Sequence, residues 1–367
     1  MDKTSHRSVS DRRSIYYWKC DRPQAFHGVL RVTTAEEDAA LLKGVRQILK
    51  NAFSEPFELL PGVGEGTHRT FQLHHQEKTY FVRVEDGPEG DTHLETESHI
   101  LRALSKINIP VPHVYFCDVS RKEAPFSVQV ITHYPTSDLN RLYRKEKFSL
   151  LPIAEDIGNF VARWQALPLA NFGPLEKSEI DKTLRGFHPC YADYFTLHLD
   201  RHFRFLGDKG FLASSEIREM QQAIEMHKCL LEIEKPCLVH KDLALWNILG
   251  TAKGIVAFID WDDAIGGDVA DDLSLLGCFY SWEFLQHALR GYERERPLPP
   301  DFSQRFWLHL LRNMLVKAVI RIGAGYFDQT QSNFLMAAGG DSLRRTTHEK
   351  LLVACRGLKE NRPLTDL

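Results

Sequence analysis

The chain has 367 residues, 43% of them apolar, with 46 Lys and Arg against 49 Asp and Glu and a formal net charge of −3. That length allows a sizeable core shared between two lobes, and the near-neutral balance gives no electrostatic case for a nucleic-acid partner. No run of about 18 apolar residues occurs, so no membrane-spanning helix is expected, and scattered cysteines without a Cys-x-x-Cys pair read as reduced thiols in a cytoplasmic protein.

Residues 1–32 are polar and irregular apart from "IYYW", and they lack the apolar stretch of a secretory signal. They are expected to form an arm. From Thr33 the pattern predicts a helix with Leu41, Leu42, Val45, Ile48 and Leu49 on one face. Either Thr33 with Glu36 or Thr34 with Glu37 would make its capping box. The period then changes. "FELL", "HRTFQLHH" and "TYFVRV" read as strands, with the turn "PGVGEG" between the first two. A helix over "DTHLETESHILRALSKINIP" stops near Pro110, with Ile100, Leu101, Leu104 and Ile107 as its apolar face. Two more strand-like runs follow, "HVYFC" and "FSVQVITHY".

After Pro135 the chain turns helical. "LLPIAEDIGNFVARWQAL" is amphipathic, residues 172–235 are expected to be mostly helical, and a short strand pair around "AFID" interrupts helices that run to about residue 357. The predicted architecture is α+β with two lobes. An N-terminal arm (1–32) precedes a lobe built on a small antiparallel sheet (33–134) and a larger helical lobe (135–367).

Within "LVHKDLALWNIL", residues 238–249, four polar side chains (His240, Lys241, Asp242 and Asn247) sit in a segment that otherwise reads as buried. Asp260 follows Asp242 by 18 residues, at the end of the apolar run Ile255–Ile259. A carboxylate at the end of a buried strand is costly without a compensating charge. One carboxylate and one amide oxygen suit a hard ion that keeps ligand positions for water and phosphates, which describes Mg²⁺ with a nucleotide. Asp242, five residues before the amide, could then meet an acceptor hydroxyl while staying off the metal. His-x-Asp, an Asn five residues on and a later Asp form the kinase pattern, and phosphoryl transfer needs this division of labour.

These stretches, with "FIDWDDAIGGDVADDLSLL", resemble the aminoglycoside phosphotransferase and choline kinase-like family, the small-molecule branch of the protein-kinase-like fold. The resemblance spans roughly residues 55–290 and is tightest in the C-terminal half. It implies that Asp242 is the catalytic base or acceptor-orienting group and that Asn247 and Asp260 bind Mg²⁺. His240 would brace the loop, and Asp268 and Asp272 the lobe. Gly62, Gly64 and Gly66 would cover the phosphates, although Gly and Pro between strands often mark only a turn. Arg83 would stand where protein kinases use Lys, paired with Glu97 or, in competition, Glu95. Ile131 to His133 would border the nucleotide base, leaving ATP and GTP both open. The implied partner is a small-molecule hydroxyl acceptor, with no membrane or nucleic acid, for a monomer or dimer. A nucleotide-binding scaffold without efficient catalysis is the alternative. A protein kinase is disfavoured because the short Asp260–Asp268 interval leaves no room for an ordinary activation loop.

Two departures from the family stand out. Lys241 is expected to put a cation beside Asp242, lowering its pKa or pairing with a substrate anion. Trp164 and Gln165 stand where relatives often carry Leu-His. Adjacent His74 and His75 resemble a metal pair, but neighbours on a strand face opposite ways, so they read as surface residues. The aromatic-rich "HPCYADYFTLHLDRHFRF", with Asp193 and Asp200, is either core or acceptor pocket. Asp262 and Asp263 could attract a cationic acceptor or form a solvated turn.

Overall fold

The computed structural model describes residues 15–21, 34–62, 68–87, 92–146, 148–177, 183–329 and 339–367. Five antiparallel strands form the first sheet: β1 (Phe57–Pro61), β2 (Arg69–His75), β3 (Lys78–Glu85), β4 (Val114–Asp118) and β5 (Ser127–Thr132), in the order β1-β2-β3-β5-β4. Alternation along β3 sends Tyr80, Val82 and Val84 to one face, where they pack with Leu41, Val45, Ile48 and Leu49 of the Ala35–Leu49 helix. That helix is capped by Thr34, which exchanges bonds with Glu37 at 3.2 and 2.9 Å, so Thr34 and Glu37 are the capping pair. The same alternation turns Arg83 to the opposite face, towards the His93–Lys106 helix. Gln129 of β5 docks that helix through Ser98 Oγ at 3.0 Å and the Leu94 carbonyl at 3.3 Å.

The second lobe is mostly helical but holds more sheet than expected. Residues 172–235 include β6 (Phe172–Lys177) and β7 (Leu184–His188), which join β8 (Cys237–Val239) and β11 (Ile265–Gly267) in a four-stranded sheet ordered β7-β6-β11-β8. The expectation of a mostly helical segment is corrected for these two strands. Their sequences, "FGPLEK" and "LRGFH", carry Gly, Pro and charge where an alternating apolar pattern would be sought. Gly186 is needed there because a Cβ would lie 2.2 Å from the Phe172 carbonyl oxygen. β9 (Ile248–Thr251) and β10 (Gly254–Phe258) form a separate hairpin. Helices Leu151–Trp164 and Trp282–Glu295 approach at Gly158 and Gly291, where a Cβ would meet backbone oxygens at 1.7 and 1.8 Å. The Phe302–Gly323 helix is buried along most of its length.

Tyr17, Trp18, Cys20 and Asp21 of the N-terminal segment are buried in the second lobe's core. Tyr17 is 1% exposed, stacks on Tyr194 at 4.9 Å between ring centroids and lies 3.6 Å from the Arg312 guanidinium. Asp21 accepts from the Tyr17 amide at 3.1 Å and pairs with His202 Nε2 at 2.7 Å. Arg312 Nη1 sits 2.9 Å from His202 Nδ1. Both imidazole nitrogens are therefore occupied with the ring neutral, one donating to Asp21 and one accepting from Arg312. Cys20, Asp21 and His202 could suit a metal by residue type, but these bonds already hold the imidazole and the carboxylate.

Burial and the nearby Arg312 charge push His202 down to about 4, against the opposing pull of Asp21. The ordinary value of 6.5 applies to the unfolded chain. Between these values the unfolded chain binds the extra proton, so stability falls as pH drops from about 6.5 towards 4 and is flat above that window. At about pH 5 the expected cost is about 2 kcal/mol. Urea titrations at about pH 7 and pH 5 should show a larger loss for the wild type than for His202→Gln; equal losses contradict the assignment.

Candidate active site

β8 enters the site as a buried strand and releases the loop His240–Ala244, which returns through a 3₁₀ turn at Leu245–Asn247 into β9. Leu243, Leu245 and Ile248 are buried and pin the loop, while Trp246 meets Phe279 edge-on at 4.7 Å. His240 Nε2 bonds the Ile259 carbonyl at 3.0 Å, and its Nδ1 accepts from the Asp242 amide at 3.3 Å. Both nitrogens are used by a neutral ring, and burial keeps the His240 pKa below its ordinary value.

Lys241 adopts φ +70°, a left-handed conformation that a residue with a side chain reaches only when its surroundings enforce it. Asp272 supplies the constraint. Its carboxylate accepts from the His240 and Lys241 amides at 2.9 and 3.1 Å and from Trp164 Nε1 at 3.2 Å. Burial still pushes the Asp272 carboxyl up to about 7. Trp164 thus braces the loop His240–Ala244 from behind, edge-on to Trp261 at 5.1 Å. Gln165 bonds the Val269 carbonyl at 3.1 Å and the Tyr292 hydroxyl at 2.9 Å. Asp268 caps the Val269–Phe279 helix through the Ala270 amide at 3.0 Å and holds Arg305 and His309 at 3.0 and 3.1 Å.

The expectation for Lys241 is corrected. Its ammonium is spent in the core on Asp271 at 2.8 Å, the Tyr17 hydroxyl at 3.0 Å and Asn313 at 3.2 Å. The cations at Asp242 are Lys19, 2.9 Å from Oδ2, and Lys317, 3.8 Å from Oδ1. Burial opposes ionisation of Asp242, but Lys19 and then Lys317 outweigh it and hold the carboxyl below its ordinary value. The same burial pushes Lys317 down to about 8.

Asn247 Nδ2 donates to the Asp242 carbonyl at 2.8 Å and to its Oδ2 at 3.2 Å, which leaves its amide oxygen as the ligand-type atom. The Ile259 amide donates to the Asn247 carbonyl at 3.0 Å, tying this loop to the turn that carries Asp260. Asp260 has φ +66° and accepts from Arg83 Nη2 at 3.0 Å. Desolvation in the cleft and the neighbouring Asp262 charge push its carboxyl up to about 7, despite Arg83. Arg83 Nη1 also bonds Glu97, whose other oxygen accepts from the Trp261 amide at 3.0 Å. Glu97 is 1% exposed and makes this pairing; Glu95 lies 4.0 Å from His99 instead.

Gly62 is required by close approach, since a Cβ would lie 2.6 Å from Thr70 Oγ1. Gly64 and Gly66 lie outside the described residues. Ile131 is buried near the end of β5, and His133 is half-buried just beyond it. His74 and His75 bond different partners, Thr79 and Ser54. Tyr191, Tyr194, Phe195 and Phe203 are core residues, whereas Asp193 and Asp200 are exposed. Asp262 pairs with His68 at 3.1 Å across the cleft, and Asp263 with Lys19 at 3.1 Å.

The structure therefore brings Asp242, Asn247, Asp260, Arg83 and Glu97 into one linked cluster. Sequence reasoning missed Lys19, Lys317 and Asp271; it singled out Asp263 beside Asp262, but not that Lys19 would be its partner. The one signal for Lys19 was the apolar island "IYYW" just before it, in an otherwise polar arm.

No curated protein matches the chain in sequence. Among solved structures, aminoglycoside phosphotransferase APH(4)-Ia aligns with TM-score 0.60 at 17% identity, over 86% of this chain and 98% of that one. A thermostable mutant of it, in ternary complex with AMP-PNP and hygromycin B, aligns with TM-score 0.60 at 18% identity, over 85% and 98%. A Thermobifida fusca YX-ER1 protein designated a fructosamine-3-kinase aligns with TM-score 0.58 at 19% identity, over 84% and 98%. At these identities the likeness establishes the two-lobed kinase-like fold. The sequence profile of the phosphotransferase enzyme family matches residues 60–304, about two thirds of the chain. The chain belongs to the phosphotransferase enzyme family.

Proposed function

We propose that this protein is a small-molecule kinase that transfers the γ-phosphoryl group of a nucleoside triphosphate, ATP or GTP, to an alcohol hydroxyl of a metabolite or antibiotic with Mg²⁺. The observation that carries the proposal is the convergence of Asp242, Asn247 and Asp260 through the Ile259–Asn247 link. Structures of aminoglycoside phosphotransferase APH(4)-Ia with AMP-PNP and hygromycin B support a nucleotide and a small acceptor.

In this reading Asp242 accepts a hydrogen bond from the acceptor hydroxyl. Its depressed pKa makes it a better orienting group than an early proton acceptor. A loose, largely dissociative transition state asks for that, because little charge needs to build on the nucleophile beforehand. The donor set fits Mg²⁺: an amide oxygen on Asn247, and an Asp260 carboxylate whose high pKa marks it as short of positive charge. When bound, the ion would spread charge over the phosphate oxygens. Arg83, braced by Glu97, would grip phosphate oxygens as a fork. A silent scaffold drew its case from Lys241 and Arg83, and the core placement of Lys241 removes half of it. Among the described residues no helix is long and apolar enough to cross a membrane. What supports a cytoplasmic setting is that all seven cysteines are unpaired.

Purified protein with Mg²⁺ and labelled ATP or GTP, screened against hydroxylated metabolites and antibiotics, should transfer label. On an acceptor found this way, Asp242→Asn is expected to lower kcat about 10²–10⁴-fold with the fold intact; full turnover would remove Asp242 from its role. Asp260→Asn is expected to abolish the Mg²⁺-dependent part of nucleotide binding measured calorimetrically. Identical titrations for mutant and wild type would remove the metal role.

A further inference from the structure

The ammonium at Asp242 comes from the start of the chain, 223 residues away in sequence. It stands 2.9 Å from Asp242 Oδ2 and 3.1 Å from Asp263 Oδ2, so it spans the catalytic loop and the turn that carries Asp260. Two of its three hydrogens answer those carboxylates, and 29% of the side chain remains open to solvent.

The segment that delivers Lys19 is built into the lobe. Tyr17 lies between the Arg312 guanidinium at 3.6 Å and the Lys241 ammonium at 4.6 Å, and its carbonyl accepts from the Tyr194 hydroxyl at 2.6 Å. Asp21 locks the following turn onto His202. Trp18 lies 4.4 Å from Lys317, the second cation at Asp242. Withdrawing the segment would take the Tyr17 hydroxyl from Lys241, the Tyr17 ring from Arg312 and the Asp21 carboxylate from His202, and leaving buried polar groups short of partners is costly. A plug that must leave in every cycle would not be anchored this way. The position of Lys19 is also independent of the catalytic loop's own sequence, which has Leu243 and Ala244 after Asp242 and no cation facing it.

We propose that Lys19 is a positioning residue of the phosphoryl transfer, supplied to the active site by the N-terminal segment to hold the Asp242 carboxylate in place against the acceptor hydroxyl. The proposal rests on the kinase reading above. Asp242 Oδ2 is fixed from two sides, by Lys19 and by Asn247 Nδ2 at 3.2 Å, so one carboxylate oxygen is anchored. A fixed cation there is already oriented before reaction and needs no rearrangement as charge redistributes. It also shapes specificity: Asp242 and Asp263 already carry an ammonium, so a cationic acceptor finds its natural counter-ions occupied.

The test compares wild type, Lys19→Met, Lys19→Arg and Lys19→Ala on one acceptor. Lys19→Met is expected to lower kcat about 10²-fold, with the KM for nucleotide within about twofold and a cooperative melt at a Tm somewhat below wild type, because Asp242 and Asp263 lose a counter-charge. Lys19→Arg should recover part of the loss, and added ethylammonium should restore part of the Lys19→Ala activity, which a purely structural side chain would not permit. Wild-type kcat in Lys19→Met would make the contact an ordinary ion pair and overturn the proposal. Faster turnover would make the segment a gate and also overturn it. Lost activity with a lowered Tm and no amine rescue would assign Lys19 to folding alone. A wild type inactive on every acceptor overturns the kinase reading itself, whereas an active wild type with an indifferent Lys19→Met overturns only this proposal.

Discussion

Burying a carboxylate without a compensating charge is among the costliest things a fold can do, and this protein gathers a row of them around one cleft. Each is answered by a group from a distant part of the chain. Asp242 is held by Lys19 and Lys317, Asp271 by Lys241, Asp268 by Arg305 and His309, and Asp260 by Arg83. Asp272 is answered mainly by the backbone amides of His240 and Lys241. Between them these pairings tie together the arm, the first sheet, the loop His240–Ala244 and the long Phe302–Gly323 helix.

Asp242 and Asp260, with side chains 9% and 35% exposed, show how unequal counter-charge makes two different sites. Two cations keep Asp242 ionised, which suits it to accept hydrogen bonds. Desolvation and then the neighbouring Asp262 push the Asp260 carboxyl up to about 7, against the one guanidinium that it shares with Glu97. A site short of positive charge beside an amide oxygen is suited to a hard divalent ion. The left-handed backbone at Lys241 and Asp260 falls at the entrances to these two positions, where strain that the surroundings over-determine is most often kept.

Much of the first lobe could be read from the sequence because its signals are local. Period-two alternation placed β2, β3 and β5, and the helix carrying Glu97 followed from its apolar phase. The choice between Thr33 and Thr34 as cap needed coordinates, since both spacings are chemically equivalent. In the second lobe the trio Asp242, Asn247 and Asp260 was legible because its spacing is short and its chemistry restrictive. β6 and β7 were not, because their pairing is fixed by Gly173, Gly186 and the contact with β11, a non-local fact. The fate of Lys241 was illegible for the same reason: its partners Asp271, Tyr17 and Asn313 lie at separations no local pattern reports. Lys19 was the deepest omission, since an ammonium in a polar arm looks like solvated charge until Tyr17 is seen in the core.

In the proposed reading, one cleft completed by the N-terminal segment holds nucleotide, metal and acceptor-orienting carboxylate together. A crystal structure of the wild-type protein grown with Mg²⁺ and a non-hydrolysable ATP or GTP analogue tests it most directly. The expected result is the ion on Asn247 and Asp260, the phosphates reached by Arg83, and Lys19 still bonded to Asp242. An ion bound elsewhere, or residues 15–21 displaced from the core while the nucleotide is seated, would contradict it.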